Sequence, residues 1–145
     1  MIRAFIDASV FYAASYSSTG ASREIIQQAI RGNITLVFSK FVLEEVERNL
    51  TNKAPEALIA FQQFLDVVPF EFVRPTKRQV LQAASYTAPK DAPIVAAAKR
   101  AQVDYLVSLD RRHLVGVTEV EQGSGLSIVL PEELLKEIRR QAGHK

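Results

Sequence analysis

The chain opens on an apolar run, Ile2 to Ile6, that is too short for a helix and ends abruptly on Asp7. Apolar positions without polar alternation mark a strand buried on both faces, as in a parallel sheet, where ligands sit at the carboxyl ends of the strands. Asp7 therefore reads as an acid at the mouth of a buried strand, with Ser9 as the cap of a helix implied by Val10 to Ala14. Past a polar loop from Tyr16 to Gly20, the spacing of Ile25, Ile26, Ala29 and Ile30 predicts a second helix, stopped by Gly32 and Asn33. Thr35 to Ser39 is a second apolar strand. It leads into a helix whose Phe41, Val42, Glu45, Val46 and Leu50 fall near one face, so Glu45 stands among the inward positions. Ala54 and Pro55 break that helix, and Leu58, Ile59, Phe61, Phe64 and Leu65 recur at helical spacing beyond it, which predicts a helical hairpin.

Pro69 to Val73 alternates like a short edge strand. Thr76 caps a helix through Val80, Leu81 and Ala84, and the loop from Tyr86 to Lys90 leads to Asp91 at the start of a helix over Ala92 to Arg100, with Pro93 in its first turn. Tyr105 to Asp110 repeats the opening pattern, an apolar strand closing on an aspartate. Asp104 reads as a turn residue at the opposite end of that strand. Gly123, Ser124 and Gly125 turn the chain into a last strand, Leu126 to Leu130, and Pro131 begins a C-terminal helix that ends in Arg139, Arg140, His144 and Lys145. Strands alternating with helices predict an α/β sandwich around a mainly parallel sheet.

Composition narrows the class. With 145 residues, 48% hydrophobic and 23% charged, the chain fits one globular domain over residues 1–145 with enough apolar surface for a core. The absence of cysteine excludes disulfides and thiolate metal sites. Neither a signal peptide nor a membrane-spanning run is visible, so the expectation is a soluble, cytoplasmic protein. A net charge of +2 permits a polyanionic partner without demanding one.

The candidate chemistry lies in four acids at related places: Asp7 and Asp110 at strand ends, Glu45 on an inward helix face, and Asp91 at a helix start. Converging carboxylates repel and raise one another's pKa unless a cation neutralises them. With no cysteine and only two histidines, the ligands at hand are hard oxygens, which favour Mg²⁺ or Mn²⁺ over zinc. Such ions assist in-line displacement at phosphorus, so the chemistry that fits is metal-dependent hydrolysis of nucleic acid.

Each residue also has a plainer reading. Asp7 and Asp91 are good helix caps, and Glu45 could belong with Glu44 and Glu47 to a solvated face. Ser9 and Ser108 either position water or phosphate, or are capping and strand-end hydroxyls. Lys40, Lys90, Arg111 and Arg112 adjoin the acidic edge, where they either meet substrate phosphates or are solvated surface. His113, with no second histidine or cysteine beside it, is set aside as a ligand. Phe61, Phe64, Phe70 and Phe72 read as core, or, where exposed, as a dimer or partner patch.

The segments FIDAS, LEEVE, KDAPIVAAAK and YLVSLDRRHL, in that order, closely resemble the PIN-domain ribonucleases, and especially the toxin components of type II toxin–antitoxin systems. The resemblance runs from Ile2 to the Leu134 region. It implies that Asp7, Glu45, Asp91 and Asp110 are the family's four acids in a pocket that binds Mg²⁺ or Mn²⁺. It also implies a three-layer sandwich with a five-stranded sheet ordered 3-2-1-4-5, cleavage of single-stranded RNA to a 5′-phosphate and a 3′-hydroxyl, a homodimer, and a cognate antitoxin. The chain departs from many relatives just beyond the fourth aspartate, where Arg111 and Arg112 replace a further acid or asparagine. Arg112 there either contacts a substrate phosphate or partly neutralises the cluster. Two rivals follow: a catalytically silent PIN-like scaffold that binds RNA or protein, and a phosphoacceptor receiver domain. The receiver is disfavoured because Ala8, not a second acid, follows Asp7, and Pro131, not lysine, follows Leu130.

Overall fold

Five short parallel strands form the centre: β1 (Ile2–Ile6), β2 (Ile34–Phe38), β3 (Phe70–Phe72), β4 (Tyr105–Val107) and β5 (Ile128–Val129), in the order β3-β2-β1-β4-β5. The structure, a computed structural model, describes residues 1–143. His144 and Lys145, expected to close the last helix, lie outside the described residues. The helices flanking the sheet are α1 (Ala8–Tyr16), α2 (Ala21–Ile30), α3 (Lys40–Lys53), α4 (Leu58–Val67), α5 (Lys77–Ala83), α6 (Ala92–Ala101), α7 (Thr118–Ser124) and α8 (Pro131–Ala142), with a 3-10 turn at Pro55–Ala57.

β1 occupies the middle of the sheet, which is why its positions are apolar on both faces: Ala4, Phe5 and Ile6 are fully buried. The exception, Arg3, is consumed by the fold. Its guanidinium makes a two-pronged pair with Glu71 of β3 at 3.0 and 3.1 Å, and donates to the carbonyls of Ala101 and Gln102 that end α6. Asp104 accepts from the Arg3 amide at 2.8 Å, at the end of the strands opposite the four acids.

From β1 the chain proceeds outward to β2 and β3, then returns across β1 to β4 and β5. Because parallel crossovers are right-handed, this reversal sends the connecting helices to opposite faces and leaves a crevice at the carboxyl ends of β1 and β4. Beneath it, Phe11 of α1 contacts Phe38 at 4.8 Å and Phe61 at 5.0 Å, with all three rings buried.

Three local expectations are corrected. The glycines near 124 end a helix rather than form a bare turn: Gly125 is its left-handed cap at φ 74°, and Gly123 lies where any Cβ would collide with the Tyr86 ring. Phe41, Ile59 and Leu81 face solvent although their spacing reads inward. The fourth strand ends at Val107, so Asp110 sits on the loop beyond it, and the fifth is only two residues long.

Truncating Phe11→Ala removes the ring on which Phe38, Phe61 and Phe64 converge and should cost about 3–5 kcal/mol in urea unfolding. A loss below about 1 kcal/mol would show that these rings repack without it.

Candidate functional site

α1 starts two residues earlier than the sequence suggests, and this decides the geometry of its first acid. Asp7, not Ser9, is the N-cap: its Oδ1 accepts from the Ala8 amide at 2.7 Å. Asp7 Oδ2 accepts two hydroxyls, Ser108 at 2.6 Å and Ser9 at 3.1 Å. Those hydroxyls accept in turn from the amides of Asp110 at 3.0 Å and Leu109 at 3.1 Å. Ser9 and Ser108 thus lash the end of β1 to the loop after β4, and the Asp7 amide adds a bond to Val107 O at 3.0 Å. Both serines act as positioning groups for Asp7 here.

Asp91 behaves oppositely. Its sequence context, Asp-Ala-Pro, is that of a cap, yet its side chain makes no capping bond and is 7% exposed. Its Oδ2 is buried without a hydrogen-bond partner among the described residues, a condition native structures seldom tolerate without an unshown ligand. Glu45 lies half-buried on α3 beside the fully buried Val42 and Val46, in the phase its spacing predicts.

Asp7, Glu45, Asp91 and Asp110 line one cleft of about 440 Å³. Tyr12, Asn49, Lys53 and Lys90 complete its polar wall. Asn49 and Lys53 went unremarked in the sequence although they follow Glu45 at successive steps of four on one helix, the interval that stacks side chains on one face.

The electrostatics follow from burial. Loss of water raises the Asp7 carboxyl, against the pull of Ser108, Ser9 and the Ala8 amide. Burial, then the nearby Asp7 charge, raises Glu45. Asp91 is raised first by burial and further by Asp110 and Asp7, with Lys90 opposing. Asp110 goes the other way: burial acts to raise it, but the His113 amide and ring and the Arg112 amide outweigh that and hold it low.

His113 corrects the sequence reading. Its Nδ1 lies 3.1 Å from Asp110 Oδ2, and Asp91, Asp110 and His113 each offer an atom within 4.8 Å of the others, a spacing suited to a cation. Three residues separate His113 from Asp110, so the pairing was available from the loop itself. The lysine beside the cluster is Lys90, 3.9 Å from Asp110 Oδ2. Arg112 donates to Asp110 only through its amide, while the side chains of Arg111 and Arg112 are exposed and do not line the cleft. Lys40 is also absent from it and lines a separate groove on the same edge of the sheet.

The donor set fits a hard divalent cation. An unpaired buried carboxylate oxygen and three further acids share one pocket with no thiolate, with His113 close behind Asp110, and the repulsion among the acids falls when a cation enters.

Comparison with known proteins agrees with this architecture. A family model described as PIN domain matches residues 3–112. No curated protein matches the sequence. Among solved structures, PAE2754 from Pyrobaculum aerophilum superposes with a TM-score of 0.67 at 18% identity, covering 96% of this chain and 90% of that one. VapBC2 from Rickettsia felis, bound to a DNA fragment from their promoter, gives 0.64 at 12% identity over 89% of this chain and 98% of that one. VapC20 from Mycobacterium tuberculosis, a sarcin–ricin loop cleaving toxin, gives 0.51 at 20% identity over 75% and 91%.

A carboxyl with a raised folded pKa contributes stability that is complete below its unfolded pKa and lost as pH rises through the folded one. Asp7, Glu45 and Asp91 should therefore make the metal-free protein less stable as pH climbs above the ordinary carboxylate range, with saturating Mg²⁺ flattening that slope. Asp110 and Glu71, both lowered, contribute in the opposite sense in more acidic solution. Asp91→Asn should raise the metal-free Tm at neutral pH by about 2–4 °C. A lower Tm in calorimetry would show that the Asp91 charge is already compensated.

Proposed function

This chain belongs to the PIN domain family, and from that premise we propose that it is a metal-dependent endoribonuclease that hydrolyses RNA phosphodiester bonds as the toxin of a toxin–antitoxin pair. The observation that carries the reading is Asp91 Oδ2, buried and unpartnered in a cleft that three other carboxylates share. Asp91, Asp110, Asp7 and Glu45 would hold Mg²⁺ or Mn²⁺. A divalent cation in such a site supplies Lewis-acid polarisation of a phosphoryl oxygen and charge neutralisation.

The chain's own residues do the rest. Ser9 and Ser108 fix the Asp7 carboxylate, and His113 orients Asp110. Glu45, across the cleft on α3, accepts a proton from the attacking water, a role that suits a carboxyl whose pKa burial has raised. Lys90 meets the scissile phosphate. Water rather than a protein nucleophile attacks phosphorus, leaving a 5′-phosphate and a 3′-hydroxyl.

The likeness to VapBC2 and VapC20 supports a cognate antitoxin and an RNA substrate for this chain as well. The reading extends to a single PIN domain over residues 1–145, a homodimer, and a cytoplasmic setting. No helix among the described residues is long and apolar enough to cross a membrane. A catalytically silent scaffold is the second reading, favoured by Lys90 and His113, which already place positive or donor groups against Asp110.

Asp7→Asn should keep its far-UV spectrum and lose cleavage of single-stranded RNA in Mn²⁺ by more than the roughly 10–100-fold expected for Ser108→Ala, which removes only an outer support. A folded Asp7→Asn protein cutting at the full rate would refute the assignment. Calorimetry showing RNA binding but no Mn²⁺ binding would favour the scaffold.

A further inference from the structure

At the same carboxyl edge, one and two strands away from Asp7, lies a second groove of about 430 Å³ between the ends of β2 and β3. The register pairs Phe5 with Val37 and Phe38 with Phe72, so the end of β3 stands two strand spacings from the end of β1, roughly 10 Å. The groove wall includes Phe41, Phe72, Lys40, Arg74 and Pro75. Phe72 is 60% exposed although it is a large apolar side chain on a strand. Its ring is held in place: it meets Phe70 edge-on at 5.0 Å, and Phe70 packs on the buried Phe38 at 4.8 Å. A braced aromatic face open to solvent is poor core design and good stacking design.

The surrounding charge is one-sided. Arg74, Lys77 and Arg78 follow within a few residues and join Lys40, all exposed. None of these four has a carboxylate partner among the described residues. The acid nearest in sequence to Arg74, Lys77 and Arg78, Glu71, is committed to Arg3. An apolar protein partner has no use for four uncompensated cations, whereas a strand of phosphates does.

We propose that this groove is a subsite for single-stranded nucleic acid, in which a base stacks on Phe72 and the flanking phosphates meet Lys40 and Arg74. The inference rests on the ribonuclease reading for its substrate and deepens it. The roughly 10 Å offset puts the stacked base within a few nucleotides of the acidic cleft along one strand. The subsite would then read strandedness, because a base locked in a duplex cannot present its face to a side chain.

The test uses the full chain carrying Asp7→Asn, so that bound RNA stays intact, and a labelled single-stranded RNA oligonucleotide followed by fluorescence anisotropy. Adding Phe72→Ala or Phe72→Leu should weaken binding about tenfold, while Phe72→Tyr, which keeps the ring, should retain it. Lys40→Ala with Arg74→Ala should reduce the slope of log affinity against log salt by about 1.4, as for two phosphates of a single strand. Equal affinity for the Leu, Ala and parent proteins overturns the subsite. If the wild-type chain cleaves RNA all the same, only the subsite falls; if it neither cleaves nor binds RNA, the ribonuclease reading falls with it. A Phe72→Ala protein with unchanged RNA affinity but a lost dimer in sedimentation assigns the groove to protein contact and likewise overturns the proposal.

Discussion

The hydrogen bond from the Ser108 hydroxyl to Asp7 Oδ2, 2.6 Å long and buried, is the contact on which the acidic edge of the sheet depends. It joins two points 101 residues apart in sequence, the ends of the two strands that flank the reversal of chain direction. The site is therefore held by contacts that are long-range in sequence. Once formed, the bond lets Asp7 act as a cap, as a structural acceptor and as a wall of the cleft at once. Its orientation costs no side-chain freedom at the moment a substrate arrives.

That economy has a counterweight in Asp91. A buried carboxylate oxygen without a donor, close to other carboxylates, destabilises the bare fold, and the Lys90 charge offsets this only in part. The fold tolerates the cost because the central sheet and the Phe11 cluster are well buried. Apolar contacts below the sheet edge hold the structure, and the unfavourable electrostatics are concentrated above it in the acidic cleft. Two grooves share this edge, one acidic and one basic and aromatic, so charge changes sign across it within the width of a few strands.

Much of this was legible in the sequence because buried parallel strands leave little choice. Ile2 to Ile6 must be apolar on both faces, and an acid directly after such a run has only the sheet edge to occupy. The membership and phase of Glu45 likewise follow from helical spacing. What spacing does not encode is which hydrogen bonds a side chain will make. Asp91 sits in cap-like sequence and does not cap, while Asp7 sits in strand-like sequence and does. The decisive factor is where α1 begins, two residues earlier than a cap at Ser9 would place it. His113 has no second histidine or cysteine beside it in sequence, so only its spacing of three from Asp110 marks the pairing. Gly123 reads as a turn residue, but the structure uses its missing side chain to admit Tyr86 against a helix. Phe72, readable as core or as an exposed patch, is open to solvent because it ends a three-residue edge strand, beyond the point where its same-face neighbour Phe70 packs on Phe38.

The central claim is that the cleft between β1 and β4 concentrates carboxylates around a divalent cation. The most direct measurement is anomalous diffraction from crystals of the protein grown with Mn²⁺. The account predicts a peak within coordination distance of Asp91 Oδ2 and Asp110, vanishing in Asp91→Asn crystals grown alike. An empty cleft at saturating Mn²⁺, or a peak held by residues elsewhere, would contradict it.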